Sequence, residues 1–298
     1  MPSAQALEIN ERLRARPPGP ADLATQRQAA ELREEFASEP AGVVAVERAG
    51  IDGLWLSEQD AGPGVLLYLH GGGYVVGSPE ARRKSAGHLA VAAQASVLVA
   101  RYRLAPEHAF PAAVDDAVAA YKWLLEQGHD AEQVVIGGDS AGGGLAVATA
   151  LRLRDDGVPL PAGLLAISPW TDLSCESELY EARREADLRV TEEGLASMAE
   201  TYLNGADPGH PHASPIRAEL SGLPPLFIAV GSDEILLEDS LRLAREAAIG
   251  GVDATLRIDA GMQHSYTVYA GYVPEADAAI TAIGAWIAER VGSPNPAG

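Results

Sequence analysis

The chain has 298 residues, 47% of them hydrophobic and 21% charged, an ordinary globular balance with ample side chain for a buried core. Forty-two acidic residues against 22 basic ones give a formal net charge of -20, which repels nucleic acid and anionic membranes and disfavours anionic substrates. The single cysteine, Cys175, excludes an internal disulfide and a multi-cysteine metal site. With no secretory h-region and no apolar run of about 18 residues, a soluble, cytoplasmic protein without stable membrane association is expected.

In chain order, Arg16-Pro17-Pro18-Gly19-Pro20 breaks a mobile arm from an amphipathic helix over Ala21 to Phe36, and residues 1–40 read as N-terminal arm and cap helix. Val43 to Glu47 and Gly53 to Leu56 predict a hairpin. Apolar runs follow at Val65 to Leu69, Ala95 to Tyr102, Val134 to Ile136, Leu164 to Ile167, Leu226 to Val230 and Thr255 to Ile258, most separated by helical periods. Strands alternating with helices predict an α/β fold, a mostly parallel sheet with helices on both faces and a site at the strands' carboxyl ends. Thr171 to Pro215 contains no strand pattern and reads as a mostly helical cap, so residues 171–215 interrupt a catalytic domain of 41–170 and 216–298.

Two glycine-rich motifs sit at strand ends. Gly138-Asp139-Ser140-Ala141-Gly142 lies between the strand Val134 to Ile136 and an Ala-rich helix over Leu145 to Leu153. Small residues there let a strand turn sharply into a helix while holding Ser140, a candidate nucleophile, in a strained backbone conformation above the sheet. His70-Gly71-Gly72-Gly73 ends an earlier strand, and its lack of side chains leaves the N–H groups of Gly72 and Gly73 free to converge with that of Ala141 as an oxyanion hole. Neither cluster has the lysine of a P-loop or the G-x-G-x-x-G spacing of a dinucleotide site.

A serine nucleophile needs an acid and then a histidine later in the chain. Asp233, just past Leu226 to Val230, and His264, just past the final strand, are in that order, so Ser140, Asp233 and His264 form the expected triad. Glu234, Glu238 and Asp239 are the competing acids, set aside because carboxylates at the start of the next helix favour its dipole. Asp139 is expected to brace the elbow. His210-Pro211-His212 lacks a partnering cysteine or an HExxH helix, so no metal and no organic cofactor is expected.

With His70-Gly71-Gly72-Gly73-Tyr74 and Gly138-Asp139-Ser140-Ala141-Gly142, the chain carries Tyr102-Arg103-Leu104-Ala105-Pro106-Glu107, Phe110-Pro111-Ala112-Ala113, Ser168-Pro169-Trp170-Thr171-Asp172 and Asp233-Glu234-Ile235-Leu236. In these motifs, from about Val65 to Tyr266, it resembles the bacterial hormone-sensitive-lipase family of esterases, in its GDSAG branch. The resemblance implies the α/β-hydrolase fold, the triad and oxyanion donors above, and a small helical cap from the N-terminal segment and the insertion after Asp172. Tyr74 and Trp170 are implied pocket residues. Arg101, Gly144 and Ser265 depart from the family's frequent residues, and Arg103 with Glu107 is expected to form an internal ion pair. The implied activity is serine carboxylesterase on short to medium acyl esters, lactones included, through an acyl-enzyme. Alternatives are an amidase or peptidase of the same fold, or a small-ligand receptor, which the intact His264 disfavours. The expected partner is a small-molecule ester; assembly as a homodimer is left open.

Overall fold

The computed structural model describes residues 1–16, 22–59, 61–177 and 179–292. Eight strands form one sheet: β1 (Val44–Val46), β2 (Gly53–Ser57), β3 (Val65–Leu69), β4 (Ser96–Ala100), β5 (Val134–Asp139), β6 (Gly163–Ile167), β7 (Leu226–Gly231) and β8 (Ala254–Asp259). Their spatial order is β1-β2-β4-β3-β5-β6-β7-β8. The hairpin β1–β2 and the pair β2–β4 are antiparallel, and every other pair is parallel. All predicted strands are present, most with ends shifted by a residue or two. The largest shift is in β5, which runs on from Ile136 to Asp139; β4 in turn stops at Ala100, so that Tyr102 leaves the ladder and its hydroxyl donates to the His70 carbonyl at 2.6 Å.

Alternation along the strands divides the core. Val65, Leu67 and Leu69 of β3 join one apolar cluster while Leu66 and Tyr68 join another, and β4 to β7 divide in the same way. The first cluster is closed by α4 (Ala112–Glu126), α5 (Ala141–Asp155) and α8 (Leu237–Ile249), the second by α3 (Arg83–Ala93) and α9 (Pro274–Val291). The central strands, covered on both faces, are apolar at nearly every position, whereas edge strand β1 is exposed throughout.

The N-terminal expectation needs correction. Ala4–Arg14 form a helix, α1, rather than a mobile arm; Ser3 caps it through the Ala6 N–H and is itself bonded, by N–H and hydroxyl, to Glu275 at 2.6 and 2.7 Å. Ala6, Ile9 and Leu13 pack on Met262, Tyr266, Tyr269 and Val273. The expected second helix is shorter, α2 (Leu23–Glu31), started by Asp22 accepting from the Thr25 N–H at 2.9 Å; the Pro-rich breaker from residue 17 and Ala21 lie outside the described residues. Among the described residues of 171–215, only α6 (Leu179–Arg183) and α7 (Glu192–Leu203) are α-helical, so this segment is more loop than helix. No helix among the described residues is long and apolar enough to cross a membrane.

Candidate active site

Strand β5 ends at Asp139, and α5 begins at Ala141, leaving Ser140 alone at the turn with φ 56° and ψ -123°. Such a conformation costs about 1–3 kcal/mol in a non-glycine residue and persists only where the surroundings impose it. They do so here: the Ser140 N–H donates to the Ile167 carbonyl at 2.8 Å, and its own carbonyl accepts from Gly143, Gly144 and Trp170. Gly142 is required, because a Cβ there would lie 1.9 Å from the Leu69 carbonyl oxygen. The turn thus presents Ser140 at the carboxyl edge of the sheet and at the N-terminus of α5, where negative charge is favoured.

Asp139 locks the elbow to the glycine loop. Its fully buried carboxylate accepts from Arg82 Nε and Nη2 at 2.9 and 2.8 Å, from the Tyr68 hydroxyl at 3.1 Å and from the Gly71 N–H at 2.9 Å. Burial by itself would raise its pKa, but the Arg82 charge and these donors overcome it and hold the carboxyl well below the usual range. Behind the loop His70 stacks on Tyr102 at 4.3 Å, and burial pushes its pKa down to about 4, so it is neutral at physiological pH. The N–H groups of Gly72, Gly73 and Ala141 have no partner among the described residues. Gly72, at φ 134°, admits no side chain, since a Cβ would lie 2.0 Å from the Val76 carbonyl oxygen.

On the other side of the cleft, the acid facing His264 is Glu234 and not Asp233. Glu234 Oε2 lies 2.7 Å from His264 Nδ1, with the two residues 0% and 4% exposed. Glu234 Oε1 accepts from the Gly231 N–H at 2.6 Å and the Ser168 hydroxyl at 2.9 Å, while Ser168 Oγ also accepts from the Ser265 N–H at 3.0 Å. Asp233 is half-buried and turned aside, its Oδ1 bonded to the Ser232 hydroxyl at 2.8 Å. The physical reason lies in the turn after β7. Helix α8 starts only at Leu237, so Glu234 is a loop residue free to fold back rather than a helix-start carboxylate. The backbones of the two loops touch there, for a Cβ on Gly231 would meet the Met262 carbonyl oxygen at 2.1 Å. The other two competing acids serve elsewhere: Asp239 accepts from the Thr171 and Asp172 N–H groups, and Glu238 from the Ser177 hydroxyl.

Ser140, His264, Gly72, Gly73 and Trp170 line one cleft of about 370 Å³, walled by Leu13 of α1 and by α7. Trp170 is therefore in the pocket. Tyr74 is not: buried behind the wall, it stacks on Tyr202 with ring centres 3.9 Å apart. Gly144 is explained by Trp170, whose carbonyl oxygen would lie 2.0 Å from a Cβ at that position. Nor do Arg103 and Glu107 pair with each other. Arg103 holds Asp116 at 2.8 Å, and Glu107 holds Arg27 of α2 at 2.7 Å, whose Nε also donates to the Val75 carbonyl just past the glycine loop. Arg101 bonds Asp52 and Glu80.

The alpha/beta hydrolase fold family matches residues 66–268. An acetyl-hydrolase of Streptomyces hygroscopicus is 45% identical over 253 residues, covering 85% of this chain and 84% of its own. A crystal structure of an esterase from the bacterial hormone-sensitive lipase family has a TM-score of 0.93 and 38% identity over 98% of this chain and 100% of that one. A crystal structure of EstE5 soaked with p-nitrophenyl butyrate has a TM-score of 0.91 and 42% identity over 98% and 100%. The chain belongs to the bacterial hormone-sensitive-lipase family of α/β-hydrolase-fold carboxylic-ester hydrolases.

Proposed function

We propose that the protein is a serine carboxylesterase that cleaves short to medium acyl esters, lactones among them, through an acyl-enzyme on Ser140. The observation that carries this reading is the buried Glu234–His264 pair, 2.7 Å apart, at the wall of the cleft that Ser140 also lines. Glu234 accepts the Nδ1–H of His264, which leaves Nε2 as the base that takes the Ser140 proton. The Ser140 oxygen adds to the ester carbonyl, and the N–H groups of Gly72, Gly73 and Ala141 stabilise the resulting oxyanion. Protonated His264 then gives its proton to the leaving alcohol; in the second half, water deprotonated by His264 attacks the acyl-Ser140 ester and the carboxylic acid departs. The cleft volume of about 370 Å³ supports a small ester, since pockets of roughly 300–1,000 Å³ hold drug-sized ligands.

The test is a series of p-nitrophenyl acetate, butyrate, octanoate and palmitate beside the matched butyranilide. Turnover that peaks at or below octanoate and is lost in folded Ser140→Ala and His264→Ala is expected. Faster cleavage of the anilide, or of palmitate, would overturn the reading.

A further inference from the structure

The charge inside the cleft is opposite to that of the protein. Of the 42 acidic residues none lines it among the described residues, whereas Arg16, Arg33 and Arg189 all do. The three come from separate segments and are poorly compensated. The Arg33 side chain is half-buried, and its guanidinium has no carboxylate or hydrogen-bond partner among the described residues. Burial and then the neighbouring Arg82 and Arg189 charges push its pKa down to about 9, so it still carries a proton at neutral pH. The Arg189 guanidinium meets only aromatic and neutral groups among the described residues, lying 5.5 Å from the Tyr269 ring centre with Nη1 3.2 Å from that residue's hydroxyl, while its backbone N–H donates to Asp187 Oδ1 at 2.8 Å. Arg16 has Glu35 at 3.7 Å, a pair exposed on both sides and therefore weak.

An unpaired, partly buried guanidinium is costly unless something supplies the missing anion. Its planar fork of donors matches a carboxylate or phosphate. Location specifies where on the substrate that anion sits. Arg16 and Arg33 also line an adjoining hollow of about 350 Å³ that shares Gly194 and Met198 with the first, so they stand where the Ser140 cleft opens outward.

We propose that the preferred substrate is an ester carrying a second, negatively charged oxyanion group, carboxylate or phosphate, remote from the scissile carbonyl, and that Arg33, flanked by Arg16 and Arg189, binds it. The inference rests on the assignment of Ser140 chemistry above and narrows it to a substrate class. It runs against the expectation from net charge alone: the surface disfavours anions at long range, whereas the proposed site would select one at contact.

The experiment compares matched esters: p-nitrophenyl butyrate with mono-p-nitrophenyl glutarate, and phenyl butyrate with 4-butyryloxybenzoate and 4-butyryloxyphenyl phosphate. The readout is the ratio of kcat/KM for each charged ester to that of its neutral partner, so the neutral ester is an internal reference. At least one charged ester should be preferred by about tenfold or more, the scale of one charge-assisted hydrogen bond. That ratio should collapse in Arg33→Met, survive within about threefold in Arg33→Lys, and fall with added salt as screening predicts. Which charged ester is preferred identifies the group as carboxylate or phosphate. Hydrolysis of the neutral esters with no charged ester preferred, or a preference that persists in Arg33→Met, overturns the proposal alone. Hydrolysis of no ester in the set overturns the esterase reading and this inference with it.

Discussion

Replacing Glu234 by glutamine keeps the shape of the side chain and removes its charge, so it isolates what the carboxylate does for His264. Two effects add. The Glu234 oxygen is 2.7 Å from His264 Nδ1 in a pocket where both residues are almost fully buried. For charge centres about 4 Å apart at an effective dielectric of about 20, the carboxylate stabilises the imidazolium by roughly 4 kcal/mol, or about 10³-fold in rate. The glutamine amide can also turn its N–H toward Nδ1 and select the tautomer with the proton on Nε2, which cannot accept from Ser140; the equivalent change in a serine triad costs about 10⁴-fold in kcat. We therefore predict a fall of about 10³ to 10⁴ in kcat for p-nitrophenyl butyrate, with KM nearly unchanged. Asp233→Asn, which disturbs only the bond from Ser232, should stay within about threefold of the parent, as surface changes usually do. A large loss in Asp233→Asn with activity retained in Glu234→Gln would refute this assignment of the acid.

Three further outcomes follow from other contacts. Asp139→Asn leaves Arg82 without its counter-ion in a fully buried position, so urea unfolding at pH 7 should show a loss of about 3–5 kcal/mol. Because the Asp139 carboxyl is held below its unfolded value of about 3.9, the pair's stabilisation is complete above that pH. The difference between parent and variant should thus be flat from about pH 5 to 8 and shrink only as pH falls below about 4. Ser265→Gly should stabilise by about 1 kcal/mol in the same assay, since it relieves a left-handed φ of 53° and removes a buried hydroxyl with no partner among the described residues. Deleting residues 1–16 strips Leu13 from the cleft wall and uncovers Met262 and Tyr266 beside His264; longer acyl chains should lose more kcat/KM than acetate, at about 0.8 kcal/mol per exposed CH₂, with a lowered Tm.

The sheet was legible because its signals are local. Each central strand is a short apolar run, and motif glycines such as Gly72, Gly138 and Gly142 stand where a backbone approach leaves no room for a Cβ. What sequence reading missed depends on how loops fold back. Asp233 and Glu234 are adjacent, and only the path of the chain between β7 and α8 decides which one faces His264. Arg103 and Glu107 are four apart, a pairing distance on a helix, but they sit in a loop and reach different partners. Helix α1 did leave a trace, since Ser3 stands at a cap position and Ala6, Ile9 and Leu13 recur at helical spacing, yet the proline run after it suggested an arm. The cationic lining was invisible, because residues 16, 33 and 189 meet only through the docking of the N-terminal helices and the 171–215 segment.

The central claim, that Ser140 forms the covalent acyl-enzyme, is tested most directly by titrating the protein with a fluorophosphonate, following residual hydrolysis of p-nitrophenyl butyrate and mapping the adduct by peptide mass spectrometry. One adduct per chain on the peptide containing Ser140, with activity lost in proportion to labelling and no labelling in Ser140→Ala, is the predicted result. An adduct on another residue, or full hydrolysis by protein whose Ser140 is fully modified, would contradict it.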